Sequence, residues 1–196
     1  MTALKQTPSQ TVGPYFAYGL CPEQYNFDLK SLFTPMVADY EAAGEHITII
    51  GQVFDGDGKV VGDAMIEVSQ VDSEGRYPAS RDEVKERGFR GFARVGTGTD
   101  PEKRFIVETV KPGRANEADA PHLNVIVTMR GMLLHTFTRI YFDDEVAANA
   151  ADPVLRLVPA ERRETLIARR VPGTSKTVYR FDIFMQGEKE TVFFDL

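Results

Sequence analysis

With 196 residues, 42% of them hydrophobic and 27% charged, the chain has the length of one domain and enough apolar material for a substantial core, which excludes a disordered polypeptide. A net charge of −6 argues against nucleic acid or an anionic membrane surface as partner, while a small anionic ligand needs only one well-placed cation. Cys21 is the only cysteine, so a disulfide framework and a thiolate metal cluster are excluded; MTALKQTPSQ lacks the apolar core of a signal peptide, no apolar run approaches the roughly 18 residues of a membrane span, and a cytoplasmic chain is expected.

Residues 1–45 are expected to form an arm and loop that reach a partner. Thr7-Pro8-Ser9-Gln10-Thr11-Val12-Gly13-Pro14-Tyr15-Phe16 carries two prolines and a glycine, which spell an extended segment with a turn, and 22–45 read as loop with one helical turn at most. Residues 46–196 read as the domain proper. HITIIGQVFD (46–55), the turn Asp55-Gly56-Asp57-Gly58-Lys59 and the run from Val60 to Val71 spell strand, turn, strand, with Ile66 and Val68 on one face and Glu67 and Ser69 on the other. Ser73 to Pro78 is a turn that exposes Tyr77. Residues 79–103 are charged, hold glycines at 88, 91, 96 and 98, and read as one long loop of the kind that serves function or contact.

FIVETVKPG (105–113), APHLNVIVTMRG (120–131) and LLHTFTRIYFDDE (133–145) supply the central strands. DDEVAANAADPVLRLVP (143–159) and AERRETLIARR (160–170) have helical composition interrupted by Pro153 and Pro159, as for short helices on a sheet rim. KTVYRFDIFMQGE (176–188) alternates, with Tyr179, Phe181, Ile183 and Met185 on one face, and TVFFDL (191–196) reads as a last strand. The sum is a mainly β chain, an antiparallel β-sandwich with short peripheral helices and long loops.

Chemistry concentrates in few places. His122 and Asn124 are two apart on one strand, so both side chains point the same way, with Tyr77 as a further donor. A mononuclear metal centre needs three or four donors. The residue types leave open a metal centre or a hydrogen-bonded strand histidine, and the face of His135 on the next run is unsettled. No serine sits in a Gly-x-Ser-x-Gly elbow, and no phosphate-binding glycine loop follows a strand. Asp143-Asp144-Glu145 is either a calcium-binding run or the acidic start of a helix. Arg130, followed by Gly131, offers either a planar fork for a carboxylate or an ordinary solvated or salt-bridged strand end.

TPSQTVGPY (7–15), GQVFDGDG (51–58), GRY (75–77), TVKPG (109–113), APH (120–122), RIYFDDE (139–145), RRETLIA (162–168), YRFDI (179–183) and QGEKETVFFD (186–195) together give the chain, over nearly its whole length, a sequence that resembles the intradiol aromatic-ring dioxygenases. The resemblance implies a β-sandwich taking part in cleavage of a catechol between its two hydroxyl-bearing carbons, with both atoms of O2 entering the product. Iron-bearing chains of that family hold ferric iron with two tyrosines and two histidines. Tyr77 fits the first position, Ala115 stands at the second, His122 keeps the third and Asn124 replaces the fourth.

With two of four ligands missing, the resemblance implies no metal and no catalytic group in this chain alone. Fe(III) then belongs to a β chain of the same fold, in a higher oligomer of αβ units, and the isolated chain is inactive. Thr11, Gly13, Pro14 and Tyr15 match the arm that lines the partner's pocket. Arg130 matches an arginine near a substrate carboxylate, so the implied substrate is a small carboxylated catechol. The alternatives are a binding or scaffold module that kept the fold and lost catalysis, and an autonomous enzyme with another metal set.

Overall fold

The computed structural model describes residues 5–13 and 15–195. Among them nine strands form one continuous, nearly closed sheet: β1 His46–Phe54, β2 Met65–Ser69, β3 Phe92–Gly96, β4 Arg104–Val110, β5 His122–Thr128, β6 Thr136–Phe142, β7 Ile167–Arg170, β8 Thr177–Arg180 and β9 Ile183–Phe184. The order across the sheet is β3-β2-β5-β6-β7-β8-β1-β4, with β9 beside β1. The β3-β2-β5-β6 half and the β8-β1-β4 half face each other and are linked through β7, while the two ends, β3 and β4, lie against one another.

Alternation in the strands places the core. In β5, Leu123, Val125 and Val127 point inward, and His122, Asn124, Ile126 and Thr128 point the other way. The inward residues meet Ile66, Val68, Ala93, Val95 and Ile140 of their own half and Ile47, Ile49, Val53, Phe105, Val107 and Tyr179 of the other. Each buried Val, Leu, Ile or Phe among them contributes roughly 1.5–3 kcal/mol by leaving water. A smaller core of Tyr141, Ala148, Leu155, Val158 and Leu166 lies outside the sheet, beneath the helices that follow β6.

The sandwich is mostly antiparallel, but β1 pairs in parallel with β8 and β9, and β6 with β7. A parallel neighbour needs a crossover, and between β6 and β7 it is built from α3 Val146–Ala151, α4 Pro153–Leu157 and a 3-10 helix Ala160–Leu166. The expected helix over 160–170 thus becomes a 3-10 turn and a strand, because Ile167 and Ala168 pair with Tyr141 and Phe142. Among the described residues, the expected last strand forms only a bridge from Phe137 to Phe194. The arm carries an unexpected helix, α1 Tyr15–Leu20, packed through Ala17 and Cys21 on Met65.

Residues 79–103 are not one loop. Ser80 Oγ accepts a hydrogen bond from Glu83 N at 3.2 Å and starts α2 Arg81–Arg87, which Gly88 ends in a left-handed conformation. β3 follows, and its Ala93 and Val95 belong to the core. Among the described residues, no helix is long and apolar enough to cross a membrane.

Candidate functional site

The four positions matched to iron ligands lie on two tight loops and one strand end. Asp72 organises the first loop: its carboxylate accepts from Glu74 N and Arg76 N at 2.9 Å each, and its backbone carbonyl accepts from Gly113 N at 2.8 Å. The loop carrying Tyr77 is thereby laced to the one carrying Ala115. The approach is so close that a Cβ on Gly113 would meet Ser73 O at 2.6 Å and Gly75 N at 2.8 Å. Tyr77 is half exposed, with 52% of its surface open, and Ala115 is exposed.

His122 opens β5 and Asn124 shares its outer face; their partners across the strands are Tyr141 and Arg139. His122 Nδ1 lies 2.8 Å from Ala120 O. A carbonyl only accepts, so Nδ1 carries the hydrogen and Nε2 keeps its lone pair. Burial, against a partly offsetting bond to Ala120 O, lowers the imidazole's pKa and favours the neutral ring.

Behind the histidine, Asp152 is fully buried and saturated. Its oxygens accept from Val154 N at 2.9 Å, Leu155 N at 2.8 Å, Ala120 N at 2.9 Å and Tyr141 Oη at 3.2 Å. The same carboxylate therefore starts α4, fixes the turn that holds His122, and anchors the tyrosine on which the imidazole leans at 5.5 Å.

This donor set does not fit ferric iron. It supplies one phenol, one neutral imidazole, one weakly donating amide and, at Ala115, no donor, whereas a hard trivalent cation calls for anionic oxygen. Nor do Asp143, Asp144 and Glu145 form a cation site: Asp144 and Glu145 each lie 2.9 Å from Lys111 Nζ, and Glu145 directly precedes α3. His135 is exposed, and its ring packs edge-on to Phe137.

A second set of residues assembles at the other end of β5. Gly131, at φ +88, carries the chain round the turn after the strand, and its N–H donates to Thr11 Oγ1 at 2.7 Å. The arm is thus bound to the turn that carries Arg130. Phe16 N donates to Gly13 O at 3.0 Å, so Gly13 begins the turn into α1, and Tyr15 stands 81% exposed. Pro14 lies outside the described residues. Arg130 is exposed, and its Nε sits 2.8 Å from Asp63 Oδ2. The N–H does not point along that line, so charge holds the pair, and both Asp63 oxygens are buried without a hydrogen bond from any described residue. Nothing in the sequence singled out Asp63.

The two sets do not form one site. His122 and Thr128 bound β5, which alone spans roughly 20 Å at about 3.3 Å per residue, and Arg130 lies beyond its end. A cavity of about 430 Å³ lined by Arg162, Ile167, Arg169, Arg180, Phe181 and Phe184 belongs to neither.

The Dioxygenase family model matches residues 13–187. The protocatechuate 3,4-dioxygenase alpha chain of Burkholderia cepacia is 70% identical over 198 aligned residues, which cover 100% of both chains. The beta chain of the same enzyme and organism is 29% identical over 79% of this chain and 70% of its own. Among solved structures, the dioxygenase domain of a dioxygenase carbohydrate-binding protein fusion from Streptomyces sp. SirexAA-E superposes with a TM-score of 0.59 at 19% identity, covering 96% of this chain and 100% of that one, a likeness of fold alone.

Proposed function

The chain belongs to the intradiol dioxygenase family, on its protocatechuate 3,4-dioxygenase alpha-chain branch, and from there we propose that it works by completing an active site on an iron-bearing β chain. The overall reaction joins protocatechuate and O2 into 3-carboxy-cis,cis-muconate, the ring opening between its hydroxyl-bearing carbons, as a step of aromatic catabolism in the cytoplasm. The ferric iron that orients substrate and oxygen is the partner's.

The distance between the two residue sets carries this reading. Arg130 and the arm stand at the far end of β5 from His122, too far to serve a metal at this chain's own ligand positions, and they face outward. Thr11, Gly13, Pro14 and Tyr15 wall the partner's pocket and keep water from it. Arg130 meets the substrate carboxylate with a planar pair of N–H donors, which favours protocatechuate over a catechol that lacks the acid group. Large apolar side chains left exposed in residues 1–45, among them Tyr15, Phe27, Leu29 and Leu32, support burial of that segment against a second chain. The αβ unit then repeats in a larger oligomer.

Expression with and without the β chain tests this. The isolated chain is expected to hold no stoichiometric iron and to have no activity, and the co-expressed complex to carry iron and cleave protocatechuate. Tight iron at one atom per isolated chain overturns the reading in favour of an autonomous enzyme; a complex equally active without this chain leaves only a scaffold.

A further inference from the structure

We propose that Asp63 is a positioning residue: its buried carboxylate holds the guanidinium of Arg130 by charge beside Nε and leaves the two terminal nitrogens to face the carboxylate of a bound aromatic acid. This rests on the reading that Arg130 meets the substrate carboxylate.

Asp63 is built as a fixed point. Its side chain is only 12% exposed although it stands in a turn ahead of β2. That turn is tied at both ends to Thr97, which is fully buried: Ala64 N donates to Thr97 Oγ1 at 3.1 Å, Thr97 Oγ1 donates to Val61 O at 2.8 Å, and Thr97 N donates to Ala64 O at 2.9 Å. A carboxylate with both oxygens shut away and no N–H or O–H aligned on it is costly unless a cation stands against it. Arg130 is that cation, 2.8 Å away.

Arg130 is the movable member. Its side chain is 68% exposed and carries several rotatable bonds. Two contacts restrain it: Thr11 holds the backbone of the next residue, and Asp63 holds the guanidinium. Among the described residues, the ion pair of Arg130 runs through Nε to Asp63. The Nη1 and Nη2 groups of a guanidinium present two roughly parallel N–H donors along one edge, the arrangement that meets a carboxylate bidentately. Asp63 also lends negative charge that opposes an anionic ligand, so the proposal requires orientation to outweigh repulsion. A misplacement of about 1 Å at a positioning group can cost about a hundredfold, whereas an exposed charge pair contributes at most a few-fold.

The test uses the full αβ complex, with steady-state kinetics on protocatechuate and on catechol for Asp63→Ala, Asp63→Asn, Arg130→Ala and the double variant Arg130→Ala/Asp63→Asn. Asp63→Ala is expected to raise KM for protocatechuate by roughly tenfold or more, with kcat within about threefold and catechol kinetics unchanged. Asp63→Asn, which keeps an acceptor oxygen of the same shape and so guards against a folding defect, is expected to fall between Ala and wild type. In the Arg130→Ala background, Asp63→Asn is expected to add nothing.

Equal losses on both substrates would make Asp63 a structural residue. A lower KM for protocatechuate in Asp63→Asn would show that repulsion dominates, and a silent Asp63→Ala would leave no positioning role. Any of these sinks the proposal while Arg130→Ala stays selective for the carboxylated substrate. An Arg130→Ala loss shared by both substrates would bring down the parent reading and this proposal with it.

Discussion

An arginine that recognises a carboxylate should be judged by what its removal does to substrates with and without that group. If Arg130 meets protocatechuate in a partly desolvated pocket, truncation removes one partner of a charge pair, at roughly 2–5 kcal/mol. With about 1.4 kcal/mol per factor of ten, Arg130→Ala should lower kcat/KM for protocatechuate by roughly 30- to several-thousand-fold and leave catechol nearly untouched. Arg130→Lys should recover only part, since an ammonium lacks the planar fork. His122 makes a separate prediction about pH. Burial lowers its folded pKa below the ordinary 6.5, so below that value the unfolded chain takes up a proton that the folded chain resists. Its contribution to stability is complete above about pH 6.5 and is lost as pH falls through the folded pKa. Thermal midpoints of the wild-type complex and of His122→Gln, compared at pH 7 and pH 5, should show the smaller drop in the variant; equal drops would mean that the imidazole titrates freely. At this scale the sequence was partly legible. The common face of His122 and Asn124 follows from strand periodicity, whereas the matching of Ala115 and Asn124 to ligand positions is implied by the family resemblance alone. Asp63 was invisible because its partner is remote in sequence, and an aspartate beside a glycine in a turn looks like any other.

Among the elements, the two faces of β5 and the run from Tyr179 to Met185 were legible because alternation is a local signal. The helix α2 also had one, the Ser80-x-x-Glu83 pattern, but the surrounding charges and glycines masked it, and 79–103 read as loop. The segment 160–170 failed for another reason: its composition favours helix, yet Ile167 and Ala168 gain more by pairing with β6 than by adding a turn. The crossover that makes this pairing possible depends on one buried carboxylate. Asp152 caps α4 and also accepts from Ala120 N and Tyr141 Oη. Loss of a cap costs about 1 kcal/mol, and each buried donor left without a partner about 1–3 kcal/mol more. Asp152→Ala should therefore destabilise the chain by roughly 3 kcal/mol or more in denaturant titration, and Asp152→Asn, which keeps one acceptor, by clearly less. A loss under about 1 kcal/mol for Asp152→Ala would mean that water replaces the carboxylate and that the network does not hold the crossover.

For the molecule as a whole, the fold class was legible and the topology was not, since parallel pairing of β1 with β8 and of β6 with β7 joins segments that local patterns cannot connect. Topology is also what separates His122 and Asn124 from the arm and Arg130, and so gives this chain two unlike ends. One end keeps an oriented histidine, Nδ1 fixed by Ala120 O and ring backed by Tyr141. The other presents cation, hydroxyl and exposed aromatic side chains outward. This division makes a prediction about the arm. Thr11 is held by a hydrogen bond from Gly131 N, while Tyr15, Phe27, Leu29, Leu32 and Tyr40, large exposed side chains of the N-terminal segment, lie beyond residue 13. Deleting residues 1–13 should therefore leave assembly with the β chain intact, as read by size-exclusion chromatography, because most of the apolar surface remains. It should still lower kcat/KM for protocatechuate by about tenfold or more, because the turn carrying Arg130 loses its tether and the pocket loses a wall. The smaller change Thr11→Val, which removes the hydroxyl and keeps the shape, should reproduce part of that loss. Unchanged kinetics in both variants would show that the arm only packs on its own domain, and Arg130 would then have to be held by Asp63 alone.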